Sequence, residues 1–132
     1  MAAVDTETEI LALNQRLLEA ISSGDWKVYE ELCHPDLTCF EPETRGNLVA
    51  GMAFHQFYFD MGGEAPTQPP NTTMASPKVW VLGPDAAAIV YVRLVQRVTA
   101  GGPVTSRYEE TRIWKREAGR WQHVHFHRAS CE

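Results

Sequence analysis

The sequence has few cysteines and no long apolar run, and these two features limit where the protein can work. Cys33, Cys39 and Cys131 are odd in number and form no Cys-x-x-Cys pair. This usage favours reduced thiols and a cytoplasmic location over a disulfide framework. The longest apolar run, Ala86 to Val92, falls far short of the roughly 20 residues that a membrane helix needs. Residues 1–7 lack the basic and apolar regions of a signal peptide, so we expect no membrane contact.

The sequence also lacks an excess of positive charge. It has 12 lysines and arginines against 17 aspartates and glutamates, which gives a formal net charge of −5 at pH 7. A protein that binds a phosphate backbone needs a basic surface. Nucleic acid is therefore not an expected partner.

The chain has 132 residues, 44% of them apolar, which fits one domain spanning residues 1–132, and its first half shows helical patterns. Thr6 and Glu9 match a capping box ahead of apolar residues at helical spacing. Gly24 suits a left-handed C-cap for this helix. Asp25 suits the N-cap of a short second helix.

The second half changes to strand patterns. The remaining predicted elements are a strand over Leu37–Phe40, a third helix over Asn47–Phe59, a loop over Met61–Pro70, and strands over Thr72–Leu82, Ala86–Thr99, Val104–Arg116 and Arg120–Ala129. Helices followed by consecutive antiparallel strands predict an α+β fold. We expect a long N-terminal helix packed on a strongly curved antiparallel sheet, which makes a cone with a pocket inside.

Three arginines interrupt the apolar faces of neighbouring predicted strands: Arg93, Arg112 and Arg128. Burying an unpaired guanidinium costs several kcal/mol, so such a cluster needs anions beside it. One explanation is internal pairing, since Glu110 shares the face of Arg112. Further carboxylates lie in predicted neighbouring segments, at Glu41, Glu43 and Glu109. The other explanation is a pocket for a small carboxylate, which arginine binds in a bidentate manner.

The last strand carries three histidines at every second position, His123, His125 and His127. Strand alternation predicts that they share one face with Trp121, behind the arginine face. A neighbouring pair could chelate zinc, but no cysteine or carboxylate stands at a recognisable distance, and we predict no metal site. With Trp114, this row predicts a convex face for protein–protein contact.

Several blocks resemble one family in order and spacing. They are Ala20–Asp25, Phe40–Glu43, Asn47–Gly51, Phe54–Phe59, Glu109–Trp114 and Trp121–Arg128. Together they resemble the association (hub) domain of calcium/calmodulin-dependent protein kinase II, over nearly the whole chain. The resemblance implies a cone-shaped fold like that of nuclear transport factor 2. It also implies a homo-oligomer of dimers in two stacked rings, with about 12 or more subunits.

The same resemblance implies a ligand pocket. Arg93, Arg112, Arg128 and His55 occupy positions that match pocket residues of the family, and Glu110 and Tyr91 complete the predicted set. We predict no cofactor. No kinase domain is present among the 132 residues, so the chain is either an excised hub domain or a free-standing hub, and the Met-Ala-Ala start favours the free-standing hub.

Three functions remain open from the sequence. The first is an oligomerisation module without chemistry of its own, whose partners are copies of itself and a kinase that bears a similar hub. The second is a small-carboxylate-binding protein that uses the arginine pocket. The third is an isomerase- or cyclase-type enzyme with His55 as base, Arg93 as oxyanion partner and Tyr58 or Tyr91 as donor. Three guanidinium groups around one histidine speak against the enzyme, since they lower the pKa of that histidine.

Overall fold

The computed structural model describes residues 5–62 and 68–131, in which helices precede four long strands. The helices are α1 (Thr6–Ser23), α2 (Trp26–Leu32) and α3 (Ala53–Met61), and a 3₁₀ turn spans Pro42–Thr44. The strands are β1 (Cys33–Phe40), β2 (Val49–Ala50), β3 (Asn71–Gly83), β4 (Ala86–Thr99), β5 (Gly102–Glu117) and β6 (Arg120–Ser130). Within the described ranges, no helix has both the length and the apolar composition needed to cross a membrane.

All six strands form one sheet, in the order β2-β1-β6-β5-β4-β3. The long strands β3 to β6 pair antiparallel with one another in chain order, as predicted. The pairing of β1 with β6 is parallel, which differs from the predicted antiparallel sheet and sets Cys39 beside Phe126. In β3 the pairing is irregular around Ser76, whose φ of 51° lies in the left-handed region. Such an irregularity bends a strand and increases the twist of its sheet.

The inner side of α1 supplies much of the core beneath the sheet. Ile10, Leu17 and Leu18 are completely buried there. Asn14 on the same side is also buried, and its side-chain oxygen accepts a hydrogen bond from the Trp114 indole at 3.0 Å. The prediction that Trp114 lies on the convex face is wrong. It stands two residues after Arg112 on β5, so strand alternation turns both side chains to the inner face.

The helix ends agree with the sequence at one end of α1 and disagree at the other. The predicted capping box at Thr6 and Glu9 does not form, because the helix begins one residue earlier in register. The Glu9 N–H bonds the carbonyl of Asp5 at 3.0 Å. Gly24 is the C-cap in the left-handed region, at φ 71°, as predicted. Asp25 caps α2 by accepting the Val28 N–H at 3.2 Å, also as predicted.

The predicted third helix starts too early. Residues 47–52 contain only the two-residue strand β2, and α3 begins only at Ala53. Gly51 has a φ of +89°, a left-handed conformation that a right-handed helix cannot contain. α3 continues to Met61, past the predicted end. Residues 63–67 of the predicted loop lie outside the described ranges.

A β-bulge at Val124 interrupts the alternation of β6. Ile113 pairs with His125 and Trp114 with His123, so Val124 has no partner of its own on β5. A bulge of this kind shifts the alternation of all later residues by one position. The buried residues of β6 are Trp121, His123 and Phe126, whereas His127 is exposed. The predicted row of three histidines on one face is therefore wrong: His123 and Trp121 face inward and His127 faces outward.

Candidate functional site

A cavity of about 350 Å³ lies between the helices and the inner face of the sheet. Four of the six predicted site residues line it, namely Arg93, Arg112, Arg128 and His55. Glu110 and Tyr91 do not line the cavity. They lie behind it and contact Arg112. The structure therefore gathers the predicted residues into one region in two layers, with four at the cavity and two in its supporting wall.

The supporting wall is a buried network on β4 and β5. Glu110 Oε1 accepts hydrogen bonds from Arg112 Nη2 at 3.0 Å and Nε at 3.2 Å. The Tyr91 hydroxyl donates to the same oxygen at 2.5 Å and accepts from Arg112 Nε at 2.9 Å. The guanidinium of Arg112 also stacks on the Phe126 ring, 4.4 Å from its centroid. The remaining nitrogen, Nη1, lies 3.4 Å from His123 Nε2, so each guanidinium nitrogen of Arg112 has a partner. Internal pairing is confirmed for Arg112.

The charges of this network support each other. Burial alone would raise the pKa of Glu110, but the guanidinium groups of Arg112 and Arg93 hold it below its usual value. Burial disfavours the charged form of Arg112, yet the neighbouring Glu110 carboxylate raises its pKa. Burial raises the pKa of Tyr91 to about 12, so its hydroxyl stays protonated at neutral pH. The wall is therefore a charged pair completed by a neutral phenol.

Arg93 is less completely partnered than Arg112. Its Nε donates to Thr72 Oγ1 at 3.1 Å and its Nη2 to Ser22 Oγ at 3.3 Å. Its Nη1 stands 3.6 Å from Glu110 Oε2, too far for a hydrogen bond. That oxygen is buried and accepts no hydrogen bond from the residues the structure describes. Arg93 and Glu110 thus share an ion pair with unused hydrogen-bonding capacity.

Arg128 closes the other side of the cavity with two acidic partners. Its Nη2 lies 3.0 Å from Glu41 Oε1 and also contacts Glu43 Oε2. Its guanidinium stacks on the Tyr108 ring, 4.8 Å from the centroid. Internal pairing is therefore confirmed for Arg128 with two of its predicted partners. The third predicted carboxylate, Glu109, is exposed, because strand alternation turns it away from the face of the arginines.

His55 reaches the cavity from α3 and joins two residues of the β1 end. Its Nδ1 lies 3.9 Å from Glu41 Oε2 and its Nε2 lies 3.7 Å from Cys39 Sγ. Burial and the charge of Arg112 lower the pKa of His55 to about 4. Burial raises the pKa of Glu41 to about 7, and burial together with Glu41 raises that of Cys39 to about 12. The imidazole is therefore neutral at pH 7, and the thiol is protonated.

Two residues at this site were not predicted from the sequence. Arg97 lines the cavity mouth. It lies four residues after Arg93 on β4, so strand alternation places both side chains on the same face and could have indicated its position. Cys39 lies behind His55, and its approach depends on how α3 packs on β1. No local sequence pattern signals that contact.

The family model of the calcium/calmodulin-dependent protein kinase II association domain matches residues 6–132. The chain belongs to this family. The association domain also aligns with calcium/calmodulin-dependent protein kinase type II subunit delta of Oryctolagus cuniculus, at 48% identity over 122 residues. That alignment covers 92% of this chain and 23% of the rabbit protein, so the chain spans about a quarter of the length of this relative.

Solved structures agree with the match. The calcium/calmodulin-dependent kinase II hub homology domain of Chlamydomonas reinhardtii superposes with a TM-score of 0.89 at 43% identity, covering 98% of this chain and 100% of that one. A nuclear transport factor 2-like protein from Cytophaga hutchinsonii superposes with a TM-score of 0.77 at 17% identity, covering 96% and 99%. The second likeness concerns the fold alone. The predicted nuclear transport factor 2-like fold is confirmed, and the chain is an oligomerisation (hub) module.

Proposed function

We propose that this association domain, acting as one unit over residues 1–132, assembles from dimers into two stacked rings of about 12 or more copies. The observation that carries the proposal is the family match over residues 6–132. It is reinforced by the hub homology domain of Chlamydomonas reinhardtii, which has the same extent as this chain. The family match supports self-association, and the arrangement of dimers in two stacked rings is the part that we propose.

The surface of the single chain supports the proposal. Large apolar side chains are exposed at one end of β3, at Trp80, Val81 and Leu82, each more than half accessible to solvent. β3 is also an edge strand of the sheet, so its outer backbone groups have no partner strand among the residues that the structure describes. Exposed apolar groups beside an open edge are typical of a surface that a protein partner covers. The occupant we propose is a second copy of this chain.

Native mass spectrometry tests the assembly directly. With a subunit mass of 14.9 kDa, we expect discrete species with even subunit numbers, from about a dodecamer upward. Even numbers would show that the dimer is the building block. The variant Val81→Glu, which places a negative charge on the exposed end of β3, should reduce the species to smaller ones. The matched control Lys115→Glu changes an exposed residue of β5 and should leave the ladder intact. A wild-type particle no larger than a dimer would contradict the proposal.

A second candidate function, favoured by the cavity, is the binding of a small carboxylate. Four guanidinium groups line the cavity, from Arg93, Arg97, Arg112 and Arg128, against the two carboxylates of Glu41 and Glu43. Arg93 retains hydrogen-bonding capacity, and Arg97 is exposed at the mouth. A ligand carboxylate beside Arg93 would supply the anion that the cavity lacks. The predicted set Arg93, Arg112, Arg128, His55, Glu110 and Tyr91 is proposed as the site and its supporting wall.

Thermal unfolding in the presence of acetate or lactate tests this candidate. We expect a carboxylate-dependent rise of the unfolding midpoint over an equal concentration of chloride, since binding to the native state stabilises it. Arg93→Gln should remove the rise. Arg116→Gln, which lies outside the cavity, should keep it. No rise in the wild-type protein with either carboxylate would contradict the candidate.

We propose no catalytic role for this site. A general base works best with a pKa near the working pH, and the pKa of His55 is lowered to about 4. The Tyr91 hydroxyl is held by Glu110 and Arg112 and does not line the cavity. The match to the association domain accounts for residues 6–132 without a kinase domain.

A kinase that carries a similar association domain is a further proposed partner, in the cytoplasm. The 48% identity to the rabbit kinase subunit supports similar contact surfaces. To test the proposal, this chain is given a tag, mixed with such a kinase and captured. The kinase should be recovered with the tagged chain, because the two would share mixed rings. Recovery of the tagged chain alone after prolonged mixing would contradict the proposal.

A further inference from the structure

Three chemically different metal-binding groups meet at the inner end of the cavity: the thiol of Cys39, a carboxylate oxygen of Glu41 and the imidazole of His55. Cys39 Sγ lies 3.6 Å from Glu41 Oε2 and 3.7 Å from His55 Nε2. One ligand atom from each residue lies within 4.8 Å of the others. In the described part of the chain, this is the one such group of three. We propose that Cys39, Glu41 and His55 form a zinc-binding site.

The distances fit a tetrahedral ion. Zinc bonds of about 2.0–2.3 Å at tetrahedral angles place ligand atoms about 3.3–3.6 Å from each other. The two separations from Cys39 Sγ, to Glu41 Oε2 and to His55 Nε2, are close to these values, so Nε2 is the imidazole nitrogen that would bind the ion. The other ring nitrogen, Nδ1, faces Glu41 Oε2 at 3.9 Å. Thiolate and imidazole ligands also select zinc over magnesium or calcium, which prefer oxygen ligands.

The carboxylate of Glu41 divides its two oxygens between two tasks. Its Oε1 accepts the Arg128 guanidinium at 3.0 Å, whereas its Oε2 faces Cys39 and His55. Zinc can therefore bind Oε2 without displacing the arginine. Arg128 then orients the ligating carboxylate, as hydrogen-bonded outer groups commonly do at metal sites.

His55 is held in place before any ion binds. Its ring contacts the rings of Tyr29, Phe54 and Phe126 at centroid distances of 6.0, 5.4 and 5.6 Å. It is only 6% exposed. A ligand fixed in this way loses little side-chain freedom when it binds metal.

The surrounding charges permit the ion. Zinc with one thiolate and one carboxylate forms a neutral unit, since the thiol proton is released to solvent on binding. The nearby cations are Arg128 and Arg112, and Glu43 also pairs with Arg128. Glu41 and His55 line the cavity, so a water molecule from it can take the fourth position.

The sequence does not reveal this site, and the prediction of no metal site considered only the histidines of β6. Cys39 lies near the end of β1, Glu41 follows directly after that strand, and His55 lies on α3. The spacing resembles no metal motif. The other buried cysteine, Cys33, has a histidine at 3.5 Å, His123, but that ring's second nitrogen faces Arg112 instead of a carboxylate.

Cobalt and zinc titrations of the assembled, reduced chain test the proposal. After removal of metal with a chelator, Co²⁺ should produce a thiolate-to-cobalt charge-transfer band that saturates at one ion per chain. Zn²⁺ should displace it. Cys39→Ala should abolish the band and weaken zinc binding at least about 100-fold, beyond the usual effect of losing an outer-shell group. The matched controls Cys33→Ala and Cys131→Ala should retain both.

A second variant protects the test against misfolding. If Cys39→Ala fails to assemble, as judged by circular dichroism and native mass, His55→Gln should weaken zinc binding by a similar factor in a folded chain. The proposal is overturned if the wild-type protein binds neither ion at one per chain. It is also overturned if binding survives in a folded Cys39→Ala or His55→Gln variant.

Discussion

Arg112 and Glu110 stand two residues apart on the inner face of β5, and the arginine folds back on the glutamate. Two of its guanidinium nitrogens, Nη2 and Nε, lie 3.0 and 3.2 Å from the same oxygen, Oε1. Both side chains are almost completely removed from solvent. A pair so deeply buried depends on both partners, because either charge alone would be left without compensation.

Arg112→Met should therefore destabilise the protein strongly. It leaves the Glu110 carboxylate buried without its main cation, and breaking a buried pair in this way costs about 3–5 kcal/mol. Unfolding by guanidinium chloride at one fixed protein concentration measures the change in the free energy of unfolding, since assembly makes stability depend on protein concentration. Lys115→Met on the same strand is the control, because its pair with Glu117 is exposed to solvent and contributes little to stability. Equal effects of the two changes would contradict the prediction.

Tyr91→Phe should destabilise the protein by about 1–3 kcal/mol. The hydroxyl donates to Glu110 and accepts from Arg112, and its loss leaves both buried groups short of a partner. Thermal and denaturant unfolding report the difference. Tyr58→Phe removes an exposed hydroxyl and serves as the control, with little change expected. A Tyr91→Phe protein as stable as the wild type would show that the hydroxyl has no such role.

Asn14→Ala should cost about 1–3 kcal/mol, because it leaves the buried Trp114 indole N–H without its acceptor. The change sits in the middle of α1, where alanine itself favours the helix. Any loss therefore reflects the missing hydrogen bond and the space left by the amide. Denaturant unfolding measures it, and Arg16→Ala on the exposed side of the same helix is the control. Equal stability of the two variants would contradict the assigned role of Asn14.

Acid should destabilise the protein partly through His123. Burial and the charges of Arg112 and His55 hold the pKa of His123 well below 6.5. The unfolded chain therefore binds a proton below pH 6.5 that the folded chain does not, and stability falls as the pH decreases through that range. His55, whose pKa is lowered to about 4, acts in the same direction.

His123→Gln tests this dependence. The variant should lose less stability than the wild type between neutral pH and the acid side of pH 6.5, because the titrating group is absent. Unfolding midpoints across that range measure the slope. His127→Gln, on the exposed face of β6, should retain the wild-type slope. A steeper slope in His123→Gln than in the wild type would contradict the assigned burial of a neutral imidazole.

Strand alternation explains why much of the site could be predicted. Arg93 and Arg112 interrupt regular apolar faces on β4 and β5, and both strands pair without a bulge between them. Their convergence with Glu110 therefore followed from sequence position alone. Arg97 follows the same alternation, but its position near the end of β4 gave no indication that it lines the cavity mouth.

The remainder depends on contacts between distant segments. The meeting of Cys39 with His55 is set by how α3 packs on β1, and no local pattern encodes that angle. The parallel pairing of β1 with β6 likewise arises from the path of the chain around the whole sheet. Gly51 marks the delayed start of α3, but its left-handed φ is evident only in the folded chain.

The single unpaired residue at Val124 determines which chemistry each side of β6 presents. Before it, odd-numbered side chains enter the interior, and after it even-numbered ones do, so the strand changes phase midway. Without that shift Arg128 would project outward and His125 and His127 inward. The cavity would then exchange a permanent positive charge for imidazoles whose charge depends on pH. The one extra residue in β6 thus fixes the permanent positive charge on this side of the cavity.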